Sequence, residues 1–113
     1  DILEPIVLKA RGSVVIPTNI YVQLPEGCEA QVRGRSGLAF KYDIVSHVGT
    51  IDADYRGPIS VKLFNFSDND FVIKPGERIA QLVITRYEKV EWEEVTVLDE
   101  TERGEGGFGS TGR

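Results

Sequence analysis

The segment Gly49-Thr50-Ile51-Asp52-Ala53-Asp54-Tyr55-Arg56-Gly57 sets two carboxylates and one phenol in a tight turn between two β-rich runs. Such a turn can hold a carboxylate against a water molecule and a ring against a ligand, while backbone groups on both sides stay free to read it. Taken by itself it is an acidic hairpin. Upstream stands Arg35-Ser36-Gly37-Leu38-Ala39, and at the C-terminus Arg103-Gly104-Glu105-Gly106-Gly107-Phe108-Gly109-Ser110-Thr111-Gly112. Together the three segments supply a base, cations, hydroxyls and a glycine strap, most of what a nucleoside triphosphate site needs.

Each segment also has an ordinary reading. Arg35-Ser36-Gly37 can be a turn that starts a helix; as a phosphate cradle, Arg35 brings charge, Ser36 a hydroxyl and Gly37 close backbone approach. A single Asp in a turn caps its own backbone. Two acids one residue apart suggest divided work, one activating water while the other secures the turn or pairs with Arg56. Tyr55 either packs in the hairpin or stacks on a sugar. Gln81 lies in Gly76-Glu77-Arg78-Ile79-Ala80-Gln81-Leu82, a turn entering a strand, and its amide can hold a phosphate oxygen or a metal-bound water.

The tail matches a dinucleotide fingerprint at Gly104, Gly106 and Gly109 only as text, because no strand–helix–strand unit surrounds it. It has Ser110 where a Walker loop has lysine. Glycine-rich ends are ordinarily disordered. Arg103 and Phe108 favour instead an anion-binding strap whose ring closes over a base. His47 is the only histidine, with no Cys/His cluster to build a zinc site, and reads as a surface or partly buried residue. Trp92, among Glu91, Glu93 and Glu94, is expected against a neighbouring element or subunit.

The elements that must position these groups are short strands. Ile20, Val22 and Leu24 alternate with Tyr21 and Gln23; Ala30 and Val32 with Gln31 and Arg33; Val61 and Leu63 with Lys62, Phe64 and Phe66. Similar runs occur at Val14–Ile16, Phe71–Ile73, Ile79–Thr85 and Val95–Leu98, punctuated by Pro17, Pro25-Glu26-Gly27, Gly57-Pro58 and Pro75-Gly76. Period-two runs at this spacing predict an all-β sandwich or barrel, with a distorted jelly roll as its form. One short helix is expected over Ser36–Tyr42, with Ser36 near its N-cap. After Asp99 the composition turns polar and glycine-rich, so residues 1–99 read as the core and 100–113 as a C-terminal arm.

The 113 residues suit one domain, and a domain this small gains from an oligomer interface. A net charge of −5 argues against a general nucleic-acid binder but leaves room for a small anionic ligand. The single cysteine, Cys28, excludes an internal disulfide and reads as a passive thiol in a reducing compartment. No apolar run approaches membrane-spanning length and no signal peptide is legible, so the expectation is a soluble, intracellular (cytoplasmic) protein.

With these residues in view, the chain resembles the trimeric dUTP pyrophosphatases. Four of that family's five ordered motifs are legible, at Arg35–Ala39, Gly49–Gly57, Gly76–Leu82 and Arg103–Gly112. The resemblance implies a homotrimer whose sites are shared among three subunits, hydrolysing dUTP to dUMP and pyrophosphate. It makes Asp52 the general base and Tyr55 the ring that stacks on deoxyribose and leaves no room for a 2′-hydroxyl. Arg35, Ser36, Gly37, Gln81, Arg103, Ser110 and Thr111 fall on the phosphates. Gly49, Thr50, Ile51, Ser60, Phe108 and Gly109 fall on deoxyuridine, with Phe108 over the uracil. Ser46 stands where bacterial members often have Asn and is assigned a uracil contact. Mg²⁺ is implied as a cofactor held by the triphosphate and water, with no direct protein ligand. The family's first motif, an Ala-Gly-Tyr-Asp-Leu-like segment, is expected just before Asp1. Rival readings are a dCTP deaminase, including a bifunctional one, and a weakly catalytic nucleotide-binding trimer.

Overall fold

A computed structural model describes residues 2–107. The alternating runs become β1 (Ile6–Leu8), β2 (Ser13–Ile20), β3 (Cys28–Arg33), β4 (Ile44–Ser46), β5 (Gly49–Ile51), β6 (Ile59–Asn65), β7 (Phe71–Ile73) and β8 (Gln81–Arg86), with helix α1 (Ser36–Tyr42) between β3 and β4. They form antiparallel sheets β2-β6-β4 and β5-β3-β8 and a two-stranded pair β1-β7. One parity of each strand faces inward: Cys28, Ala30 and Val32 from β3, and Ile59, Val61 and Leu63 from β6. All of these but Cys28 meet Leu8, Ile16, Ile44, Ile51 and Ile73 in one cluster drawn from all three sheets. Full burial of each such aliphatic side chain contributes about 1.5–3 kcal/mol. The result is the all-β architecture with one short helix that the alternation predicted.

Two runs behave differently from their alternation. β2 ends at Ile20, and Val22 and Leu24 pack on the core without a ladder. The pairing of β2 with β6 shifts between Pro17 and Ile20, because Pro17 has no N–H to give and Asn19 turns to φ 62°. The Thr18 hydroxyl fills in, donating to the Ile59 carbonyl at 2.6 Å and accepting from the Ile20 N–H at 3.2 Å. Val95–Leu98 is not a strand. Val97 and Leu98 are 79% and 80% exposed, and the segment pairs with none of the described strands. The run Ile79–Thr85 is displaced by two residues: Ile79 and Ala80 pack on the core ahead of β8. β1, only three residues long, left too little alternation to detect.

α1 starts at Ser36 as expected, but the cap position belongs to Arg35, with extended φ −99° and ψ 130° and no side-chain cap. Ser36 already lies inside the first turn, so its hydroxyl is not placed as a cap would be. Asp43 ends the helix in the left-handed region (φ 57°), its N–H returning to the Ala39 carbonyl at 3.1 Å. Behind the helix, the buried Asn65 amide donates to the carbonyls of Leu8 (3.1 Å) and Asn69 (2.8 Å). Its oxygen accepts from Ser67 N–H (3.0 Å) and the Ser67 hydroxyl (2.7 Å). That fully bonded side chain ties the end of β1 to the β6–β7 connection.

Candidate active site

The acidic hairpin grows from β5, which is an edge of its sheet: Gly49, Thr50 and Ile51 face Val32, Gln31 and Ala30 of β3 and have no strand on the other side among the described residues. An edge strand leaves a row of backbone N–H and C=O groups for another binder. Beyond Ile51 the chain turns at once, the Tyr55 N–H donating to the Asp52 carbonyl at 3.1 Å. Arg56 fastens this turn. Its guanidinium donates to the carbonyls of Ala53 (2.6 Å) and Tyr55 (3.2 Å), so it braces the backbone and is not bonded to Asp54. The Tyr55 hydroxyl donates to the Pro58 carbonyl at 2.9 Å and folds the ring back over the turn.

The turn encloses a cavity of about 300 Å³ whose wall includes Gly49, Thr50, Ile51, Asp52, Tyr55 and Ser60. That volume is at the small end of ligand sites. Asp52 is exposed, and Tyr55 is 44% exposed with its ring on the wall. A carboxylate open to water, a fixed ring and the free edge of a strand therefore share one hollow. This is an arrangement able to activate water beside a sugar and to read a base by backbone hydrogen bonds.

The second group of predicted residues gathers at the far end of β3. Arg33 pairs with Gln81, and the Gln81 side-chain amide donates to the Gly34 carbonyl at 2.9 Å. The Arg35 guanidinium reaches the Arg78 carbonyl at 3.4 Å. These bonds bring the Arg35-Ser36-Gly37 segment and the Gly76–Leu82 segment together as one surface. Nothing lies within 4 Å of where a Cβ would stand on Gly37, so the backbone there is open to a ligand.

The two groups sit at opposite ends of the same sheet. Asp52 follows Ile51, which faces Ala30, whereas Arg35 follows Arg33. The three strand steps from Ala30 to Arg33 alone span about 10 Å, and both groups lie outside that interval. Ser46 belongs to neither group: it is 6% exposed, and its hydroxyl donates to the His47 carbonyl at 3.1 Å. In the tail, Arg103 folds onto the Gly106 carbonyl, and the Gly104 N–H donates to the Thr101 hydroxyl at 3.1 Å. Phe108, Gly109, Ser110 and Thr111 lie outside the described residues. Trp92 is 95% exposed on its own chain. The brace made by Arg56 and the anchor made by the Pro58 carbonyl escaped the sequence, where Arg56 read as a partner for an acid.

Known proteins repeat this pattern. The dUTPase family model matches residues 2–112. Deoxyuridine 5'-triphosphate nucleotidohydrolase of Rickettsia akari is 55% identical over 111 residues, covering 96% of this chain and 75% of that protein. The rice enzyme of the same name is 55% identical over 107 residues, covering 95% of this chain and 63% of its own. Among solved structures, the dUTPase of Staphylococcus bacteriophage 80alpha, a point mutant with dUpNHpp, superposes with a TM-score of 0.82 at 32% identity, over 97% of this chain and 82% of that one. A mutant dUTPase from phage phi11 of S. aureus, described with a structural Mg(II) ion, gives 0.75 at 26% identity over 83% and 78%. No helix among the described residues is long and apolar enough to cross a membrane. Since the match runs through hairpin, cradle and tail in one unbroken order, this chain belongs to the dUTPase family.

Proposed function

We propose that the protein hydrolyses dUTP to dUMP and pyrophosphate in a homotrimer whose sites are shared between copies. The observation that carries this reading is the cavity uniting exposed Asp52, the anchored Tyr55 ring and the free edge of β5. Asp52 accepts a proton from a water that attacks the α-phosphorus. The new bond joins that water oxygen to phosphorus, the bond to the bridging oxygen breaks in line, and pyrophosphate carries the electron pair away. Such chemistry is mostly positioning and charge stabilisation.

A base must lie within reach of the water it deprotonates. Strand geometry separates Asp52 from Arg35, Ser36, Gly37 and Gln81 of its own chain. A second copy therefore supplies the phosphate cradle, and the arm with Arg103, Phe108, Gly109, Ser110 and Thr111 comes from a third. Tyr55 stacks on the deoxyribose. The β5 edge with Gly49, Thr50 and Ile51, facing Ser60, presents donors and acceptors in the order uracil O4 and N3–H require. Cytosine inverts that order and leaves a buried group unpaired, at about 1–3 kcal/mol.

The described residues contain no group of three or more His, Cys, Asp or Glu side chains placed to hold a metal. Mg²⁺ would be carried by triphosphate oxygens and water, since this ion keeps its waters and takes few protein ligands. When bound, Mg²⁺ would neutralise phosphate charge, and the Gln81 amide would hold a phosphate oxygen or a metal-bound water. The test is pyrophosphate release from dUTP, dCTP, dTTP and UTP in parallel, with and without Mg²⁺. Release from dUTP alone is expected. Ammonia from dCTP, or tight dUTP binding with no pyrophosphate, would replace this reading with a deaminase or a nucleotide sensor.

A further inference from the structure

Within a fold, a side chain is disfavoured where the backbone is left-handed or where a neighbour leaves no room for a Cβ. Gly27, Gly76 and Gly104 belong to the first class, with φ of 85°, 81° and 55°. Gly57 does not share that conformation. A Cβ on Gly57 would stand 2.3 Å from the Tyr55 hydroxyl oxygen, 2.5 Å from Cζ and 2.9 Å from Cε1. The corresponding closest approach is 3.1 Å at Gly12, 3.4 Å at Gly34 and 3.8 Å at Gly49. The bare backbone of Gly57 is thus the seat of the Tyr55 ring.

Two contacts fix that ring and a third holds its backbone. The Pro58 carbonyl accepts from its hydroxyl at 2.9 Å, Gly57 receives its outer edge, and Arg56 braces the Tyr55 carbonyl at 3.2 Å. The ring cannot tilt toward Gly57 without collision, and leaving the seat breaks the bond to Pro58. It therefore forms a fixed wall of the cavity, and the position of that wall decides how much sugar fits.

We propose that Gly57 is a positioning residue for sugar selection: by lacking a side chain it seats the Tyr55 ring where a 2′-hydroxyl is refused. The inference rests on the dUTP-hydrolysing reading above and deepens it. A ribose hydroxyl brought against the seated ring is both crowded and deprived of water, and a site's preference between such substrates is set by a group left unpaired. In Gly57→Ala the added methyl drives the ring from its seat and breaks the bond to Pro58, so the wall is no longer fixed and the refusal weakens.

The experiment measures kcat and KM for dUTP and for UTP with the full chain as wild type, Gly57→Ala, Tyr55→Ala and the double variant. Wild-type preference for dUTP is the control for the function itself; its absence would sink that reading and not merely the role of Gly57. With the control intact, Gly57→Ala is expected to lower the dUTP/UTP ratio of kcat/KM by about tenfold or more. In the Tyr55→Ala background the same change should leave the ratio within about twofold, because additivity fails for residues that act through each other. If Gly57→Ala proves too unstable to assay, Tyr55→Phe replaces it: without the bond to Pro58 the ratio should fall while the ring remains. An unchanged ratio in Gly57→Ala, or in Tyr55→Phe where that replaces it, overturns the proposal. So does an equal loss for both nucleotides, or a Gly57→Ala effect undiminished when Tyr55 is absent.

Discussion

The side-chain amide of Gln81 donates to the Gly34 carbonyl at 2.9 Å, joining residues 47 positions apart. Through it the turn before β8 and the end of β3 become a single surface next to Arg35. Replacing Gln81 with Leu keeps the bulk and removes the bond. Because the contact is exposed, stability should hardly move, while kcat/KM for dUTP falls about three- to tenfold, the value of one ordinary hydrogen bond. A drop in thermal midpoint with no change in kinetics would show that the amide only holds the fold.

Asp52→Asn retains the shape of the hairpin and its carbonyl bond to the Tyr55 N–H, but the amide is no base. Turnover should fall by at least about 10²-fold, with dUTP affinity, read by titration calorimetry, largely spared. Hydrolysis at the wild-type rate would remove Asp52 from the chemistry.

Removing residues 103–113 takes away Arg103 and the rest of the strap while leaving every strand in place. Turnover should drop strongly, and the urea midpoint should stay where it is. A truncated protein with normal rates would exclude a closing arm.

Asp43 holds a left-handed conformation at the C-terminus of α1, where a side chain is strained and a negative charge opposes the helix dipole. Asp43→Gly should stabilise the protein by up to about 1 kcal/mol, the relief of strain exceeding the added freedom of the unfolded chain. Denaturant titration measures it, and a lower midpoint would mean that the Asp43 side chain has a stabilising role of its own.

Legibility from sequence followed how local each cause was. α1 was readable over its full Ser36–Tyr42 extent because Leu38 and Ala39 favour helix and the preceding strand ends at Arg33. The inward parity of Val61 and Leu63 was readable because burial on one face imposes a period of two. The residues around the hairpin cavity were nameable for the same reason: they are nearly contiguous in the chain. Val95–Leu98 misled, since alternation reports a preference for a sheet and not that the segment joins one. Two other features depend on atoms no pattern reveals. Arg56 chose backbone carbonyls over a carboxylate one turn away, and Pro17 with Asn19 broke a ladder that Val22 and Leu24 seemed to continue.

Asp52 and Arg35 stand at opposite ends of one sheet, so under the shared-site proposal a single chain carries two unlike halves of a site. A protein lacking the acid and another lacking the cradle are then each inactive alone. Mixed after dissociation and reassembly, they should complement each other, because some junctions pair an intact acid from one parent with an intact cradle from the other. Recovery should rise and fall with the mixing ratio, a behaviour closed to any enzyme whose machinery lies within one polypeptide.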